Sequence, residues 1–206
     1  MKQVIYILTI LTFISCGQTE NKKEKNLVDE RAKELNNRGI ELTMTYNNDS
    51  ILKAIDYFNQ ATELQPDFYL AHWNKFVYQN QLGQITEAFE TLKKLETIRP
   101  NNPDLKATAG VFIELSGDSL TARQKFLKAD QIYMSILDTL TNETDPQKMT
   151  LMNKAVNLKF LGREDEGNKI LEDIKAETKD ENLKEMFETF IRMTRKELID
   201  NFKTTK

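Results

Sequence analysis

The sequence predicts an all-α fold assembled from repeats of one unit. Three observations carry that prediction. Landmark residues recur every 34 positions: Pro66 and Pro100; Ala54, Ala88 and Ala122; Gly83 and Gly117. A fixed period between about 20 and 50 residues marks a repeat array. Only 7 Gly and 4 Pro occur in 206 residues, so few positions suit the tight turns of a β-rich chain. Hydrophobic residues make up 39% of the chain, enough to bury a core.

Charge and rare residues remove several classes of function. The net charge is −3 and the pI about 5.4, whereas a nucleic-acid binder concentrates cations to displace counterions from phosphates. No nucleic-acid partner is expected. One Cys and one His leave no internal disulfide and no zinc finger. No nucleophile with an adjacent base can be assembled, so the chain is expected to be no enzyme and to use no metal or cofactor. Gly162 to Lys169 echoes a phosphate-binding loop, but Asn168 stands where Lys is required. Glu164, Asp165 and Glu166 would repel phosphate.

Taken in order, the chain opens with Met1-Lys2-Gln3 and an apolar run of 11 residues, Val4 to Ile14. A bilayer-spanning helix needs roughly 20, so the run reads as a secretory signal. Its end, Phe13-Ile14-Ser15-Cys16-Gly17, resembles a bacterial lipobox. That resemblance implies that residues 1–15 are removed and that Cys16 is lipidated. Each buried CH2 contributes about 0.8 kcal/mol, so two or three chains anchor stably. Residues 16–28 follow as a polar, flexible tether. The expected location is the cell envelope, as an outer-membrane lipoprotein facing the periplasm or the cell surface. No Asp follows Cys16, and Asp there is the inner-membrane retention signal of some bacteria.

The repeats come next. Ala54, Phe58, Ala61 and Pro66 are spaced as Ala88, Leu92, Leu95 and Pro100 are, and Ala122, Phe126 and Ala129 continue the series. Leu161-Gly162, with Leu171 and Ile174 behind it, gives a fourth copy. This register resembles the tetratricopeptide repeat (TPR), a helix–turn–helix unit of 34 residues. The resemblance implies a solenoid of about four repeats over residues 29–179, divided at about 29–68, 69–102, 103–140 and 147–179. In it Gly39, Gly110 and Ala155 take position 8, and Ala54, Ala88, Ala122 and Gly167 take position 20. Both must be small where helices A and B of a repeat cross. Gly83, Gly117 and Gly162 take the turn at position 15.

Departures from the pattern are specific. Repeat one carries three extra residues in its turn, around Tyr46-Asn47-Asn48-Asp49, and repeat two has Phe76 at position 8. Repeat three has Met134 in place of the closing Pro, so its second helix is expected to run on to about Leu140. Asn102-Pro103 and Asp145-Pro146 read as N-cap and first helical residue. Thr178 to Glu181 reads as a capping box. Behind it residues 180–206 are expected to form a capping helix and tail, in which Leu183, Phe187, Phe190, Leu198 and Phe202 cover the last apolar face; a partner-binding amphipathic helix is the alternative.

In the family the A helices line a concave groove. Carried over position by position, this implies Asn36 and Ile40 from repeat one. Repeat two supplies Leu70, Trp73, Asn74, Val77 and Asn80. Repeat three supplies Asp104, Thr108, Val111 and Glu114, and repeat four Met149, Met152, Asn153 and Val156. Asp104 and Thr108 stand where the peptide-binding class keeps cations, so an acidic C-terminal tail is an unsuitable ligand. The resemblance implies an interaction module: an envelope lipoprotein holding another envelope protein or peptide in its groove. An immunity lipoprotein that neutralises a toxin and an accessory glycan-uptake lipoprotein are the alternatives. Asp49-Ser50-Ile51, Asp118-Ser119-Leu120 and Asp138-Thr139-Leu140 also resemble the O-glycosylation triplet of Bacteroidetes, which points to a Gram-negative source in that group. Asp before Ser or Thr is equally a helix-start pattern.

Overall fold

The computed structural model describes residues 28–45, 47–140 and 145–203. Among these residues every regular element is a helix. The signal segment, Cys16 and most of the tether lie outside the described residues. The chain divides into two compact units, which meet in sequence at Pro100–Asn101.

The first unit holds α1 (Glu30–Thr43), α2 (Asn48–Leu64), α3 (Tyr69–Gln81) and α4 (Ile85–Ile98). Consecutive helices pack on one another, the closest pairs being α1 with α2 and α3 with α4. Asp29 starts α1 by accepting from the Arg31 and Ala32 amides, and Asn47 starts α2 by accepting from Asp49. These caps satisfy donors that a helix leaves unpaired in its first turn. The α3–α4 turn passes through Gly83 at φ 74°, a left-handed conformation that costs an L-residue about 1–2 kcal/mol.

The second unit holds α5 (Pro103–Leu115), α6 (Ser119–Leu137), α7 (Asp145–Phe160), α8 (Glu164–Glu177), α9 (Glu181–Arg192) and α10 (Arg195–Asp200). Asn102 caps α5 with Pro103 in the first turn, as the sequence suggests. Gly117 and Gly162 turn between the paired helices at φ 97° and 78°. The run from Gly162 to Lys169 is therefore a turn leading into α8, with Arg163 paired to Glu166 and Asp130. At 19 residues α6 outlasts α4, which has 14, as the missing proline leads one to expect.

The helix crossings explain the small residues. A Cβ added to Gly39 or Gly110 would lie 2.5 Å from the ring of Phe58 or Phe126. At Gly167 it would lie 2.6 Å from the Ala155 carbonyl oxygen. The departure at Phe76 has its counterpart: where position 8 is Gly, position 24 is Phe58 or Phe126, and where position 8 is Phe76, position 24 is Leu92. All four of these large residues are buried. One ring per crossing fills the space at native packing density.

The C-terminal segment differs from its expectation in two ways. The chain breaks at Met193 and Thr194, so it forms two helices. Asp180, not Thr178, caps α9, accepting from the Asn182 and Leu183 amides. Thr178 instead ends α8, its hydroxyl donating to the Ile174 carbonyl. The reciprocal capping box sits between Thr194 and Glu197, at the start of α10. That box starts a new helix after Met193, where a single continuous helix was expected.

Candidate functional site

In the first unit the A helices present a mixed aromatic and amide face. Leu70 is 48% exposed, and Trp73, Asn74, Val77 and Ile40 are half-buried. The Trp73 ring stacks on Tyr69, with centroids 6.3 Å apart and planes at 12°. The Arg99 guanidinium lies 3.6 Å from the Tyr69 ring centre. Cation and ring attract through the ring quadrupole. The result is a layered platform of Arg99, Tyr69 and Trp73, of which only Trp73 was read from the repeat register. Tyr69 and Arg99 escaped it because their stack joins the first residue of one helix to the residue after another.

Asn36 and Asn80, expected to face a ligand, are instead buried. Asn74 Nδ2 donates to Asn36 Oδ1 at 2.8 Å, while Asn36 Nδ2 and, separately, Asn80 Oδ1 are buried without partners. A buried polar atom left unpaired costs about 1–3 kcal/mol. The pair ties α1 to α3 and fixes the Asn74 amide beside Trp73. His72, next to Trp73, is also buried, and its Nε2 donates to the Pro66 carbonyl at 3.0 Å. Burial pushes its pKa down, which keeps the ring neutral and structural.

The second unit departs further from the expected groove. Thr108, Val111 and Met152 are all buried, so they are core residues and not contact residues. The C-terminal segment makes contacts on the same unit. Phe202 sets its ring against Phe112 edge-on, with centroids 6.4 Å apart. Arg195 reaches Glu114 at 3.0 Å and also donates to the Phe160 carbonyl. Thus α9 packs on α8 and α10 on α7, and the C-terminal segment reaches α5 through Phe202 and Arg195. Lys159 completes the attachment. Fully buried, it donates through Nζ to the Phe190 and Ile191 carbonyls and to Asn168 Oδ1. Those carbonyls belong to the last turn of α9, where a cation opposes the negative end of the helix dipole.

What remains open in this unit is a concavity walled by Ala107, Val156, Phe160, Phe190, Leu198 and Phe202. Its polar corner is Asp104, Thr108, Tyr133 and Asn153. The Tyr133 hydroxyl donates to Asp104 Oδ1 at 2.5 Å, and Asn153 Nδ2 donates to the same oxygen at 3.0 Å. Burial raises the Asp104 carboxyl above the usual range, and the two hydrogen bonds oppose that rise. Burial and the neighbouring carboxylate push the Tyr133 phenol well up, so it stays a donor. Asp104 and Asn153 were both assigned to the groove by the register. Tyr133 was not, because it belongs to a B helix that closes one repeat. Among the described residues no group of three or more His, Cys, Asp or Glu could hold a metal ion.

No family model matches the chain. The chain is similar to a TPR repeat-containing protein of Methanocaldococcus jannaschii, at 35% identity over 68 residues. The aligned stretch is 33% of this chain and 20% of that protein, so the chain spans about a fifth of its relative's length. That relative and the consecutive helix pairs together support a TPR protein. The fold class is all-α, a helix–turn–helix solenoid of TPR type.

Proposed function

We propose that this chain is a non-enzymatic interaction module. In this reading a lipid on Cys16 anchors it in the outer membrane, and the A-helix faces hold an envelope protein or peptide. The observation that carries the reading is the face of α3. Leu70, Trp73, Asn74 and Val77 lie there side by side, exposed or half-buried, on a helix whose other side is fixed by the buried Ala71 and Phe76. A large rigid aromatic beside amides is the composition of interface hot spots. The TPR-containing relative adds support for an interaction role of this general kind.

Two measurements test it. A photo-crosslinking residue at Leu70 should give one discrete protein adduct in whole cells, and the same residue at the exposed Lys93 of α4 should not. Equal labelling from both positions, or none from either, removes the interaction reading. Separately, Cys16→Ala should move the protein from the membrane pellet to the soluble fraction. Retention in the pellet removes the anchor and leaves the interaction untouched.

A further inference from the structure

The outer face of α6 carries an apolar row that the described residues leave open. Leu120 is 73% exposed, Leu127 39% and Met134 52%. Each stands seven residues from the next, so the three line up along one side of the helix with a drift of about 20° per step. Single exposed apolar residues are ordinary; three on one helix at this spacing form a seam. Gln124 and Gln131, also exposed, fill the positions between them. This is the alternating spacing by which one helix sets its side chains into the gaps of another. The seam runs about 21 Å from Leu120 to Met134 at 1.5 Å per residue. The 19-residue length of α6 makes room for it; a helix of 14 residues, the length of α4, would end before Met134.

The charges beside the seam have one sign. Arg123 and Lys128 stand on its two sides, exposed and with no partner among the described residues. Asp130 is the only acid within α6, and it is buried and paired with Arg163. Asp118 and Asp138 lie at the helix ends, as its caps. We propose that this face docks a partner helix that carries an apolar heptad row with Asp or Glu on either side of it. In a paired-helix seam the residues flanking the row on one helix meet those flanking it on the other, and charge complementarity selects acids opposite Arg123 and Lys128. The same argument disfavours a second copy of α6. Antiparallel pairing would set Arg123 against Arg123 and Lys128 against Lys128, and parallel pairing would set Arg123 against Lys128. Like charges so placed are costly. The seam lies on a different unit from Trp73, so it is a second contact surface, independent of the α3 face.

The test uses the full-length protein in phosphatidylcholine nanodiscs. The probe is a fluorescent helical peptide of three heptads, with Leu at both core positions and Glu at both flanking positions. A saturable rise in anisotropy is expected. The same peptide with Lys in place of Glu should bind at least five-fold more weakly, and added salt should narrow that difference by screening. Leu127→Gln, and Arg123→Glu combined with Lys128→Glu, should each weaken the Glu peptide at least five-fold with an unchanged helical spectrum, because these side chains are exposed. The charge-reversed variant should prefer the Lys peptide. Leu64→Gln, at an exposed leucine of α2, should leave binding unchanged. No saturation with the Glu peptide, equal binding of the two peptides, undiminished binding by the Leu127 variant, or an equal loss from Leu64→Gln overturns the proposal. So does a dimer in sedimentation that Leu127→Gln dissolves, which makes a second copy the occupant. Binding to phosphatidylglycerol vesicles that Leu127→Gln abolishes overturns it in favour of an anionic membrane. None of these outcomes bears on crosslinking from Leu70 in the other unit, so the interaction reading stands or falls separately.

Discussion

The ring of Phe58 fills the space where a side chain on Gly39 would begin: a Cβ there would lie 2.5 Å from the ring edge. Neither residue can change alone without a cost to the crossing of α1 and α2. Gly39→Ala should destabilise the protein by about 1–3 kcal/mol through overpacking. Phe58→Leu should destabilise it by opening a cavity. Together they should cost less than the sum, with a coupling of about 0.5–3 kcal/mol, because Leu92 serves at the same position opposite the bulkier Phe76. Urea denaturation of the four proteins measures this, and strict additivity would show that the two side chains do not share the space.

Trp73 stands between two environments, half-buried and stacked on Tyr69. Trp73→Ala should therefore cost about 1–2 kcal/mol of stability, less than the ~3–5 kcal/mol typical of a core tryptophan. It should also reduce crosslinking from Leu70 several-fold. A thermal melt and the adduct yield, taken on the same variant, distinguish the roles. A loss near the core value with unchanged adduct would place Trp73 in the core.

Lys159 holds three acceptors, two of them at the end of α9. Lys159→Met keeps the stem but leaves those oxygens unpaired, for an expected loss of about 2–3 kcal/mol. The loss should be local. Hydrogen exchange should quicken across residues 181–203 while α1 to α4 keep their protection. Uniform acceleration through the chain would instead show that the C-terminal helices unfold only with everything else.

Asp104 links stability to pH. Its carboxyl is raised by burial, and a group raised in the folded state gives stability that is full below its unfolded pKa, about 3.9, and is lost as pH rises through the folded value. Neutral pH therefore carries a cost that asparagine lacks. Asp104→Asn should be as stable as the parent at pH 7 or more so, by up to about 1 kcal/mol. The gap should close as the pH falls towards about 4. Thermal melts across that range check the sign, and a variant markedly weaker at pH 7 would mean that the bonds to the carboxylate outweigh its burial.

Local chemistry was legible in the chain itself. A glycine at a left-handed turn is required by one residue's backbone, so Gly83, Gly117 and Gly162 could be placed without knowing anything distant. Asn102 before Pro103 starts a helix for reasons contained in four residues. The 34-residue spacing located the crossings because small residues are needed wherever two helices of a repeat meet. Helical periodicity, however, says only which residues share a face; it does not say what covers that face. Val111 and Met152 were assigned to the groove by their place on the helix, yet tertiary packing buries both. The bond from Asn153 to Asp104 spans 49 residues, and the lysine lock from Lys159 to Phe190 spans 31. Such contacts depend on where separate helices come to rest, which is set by the sum of many weak packing energies and not by any one segment.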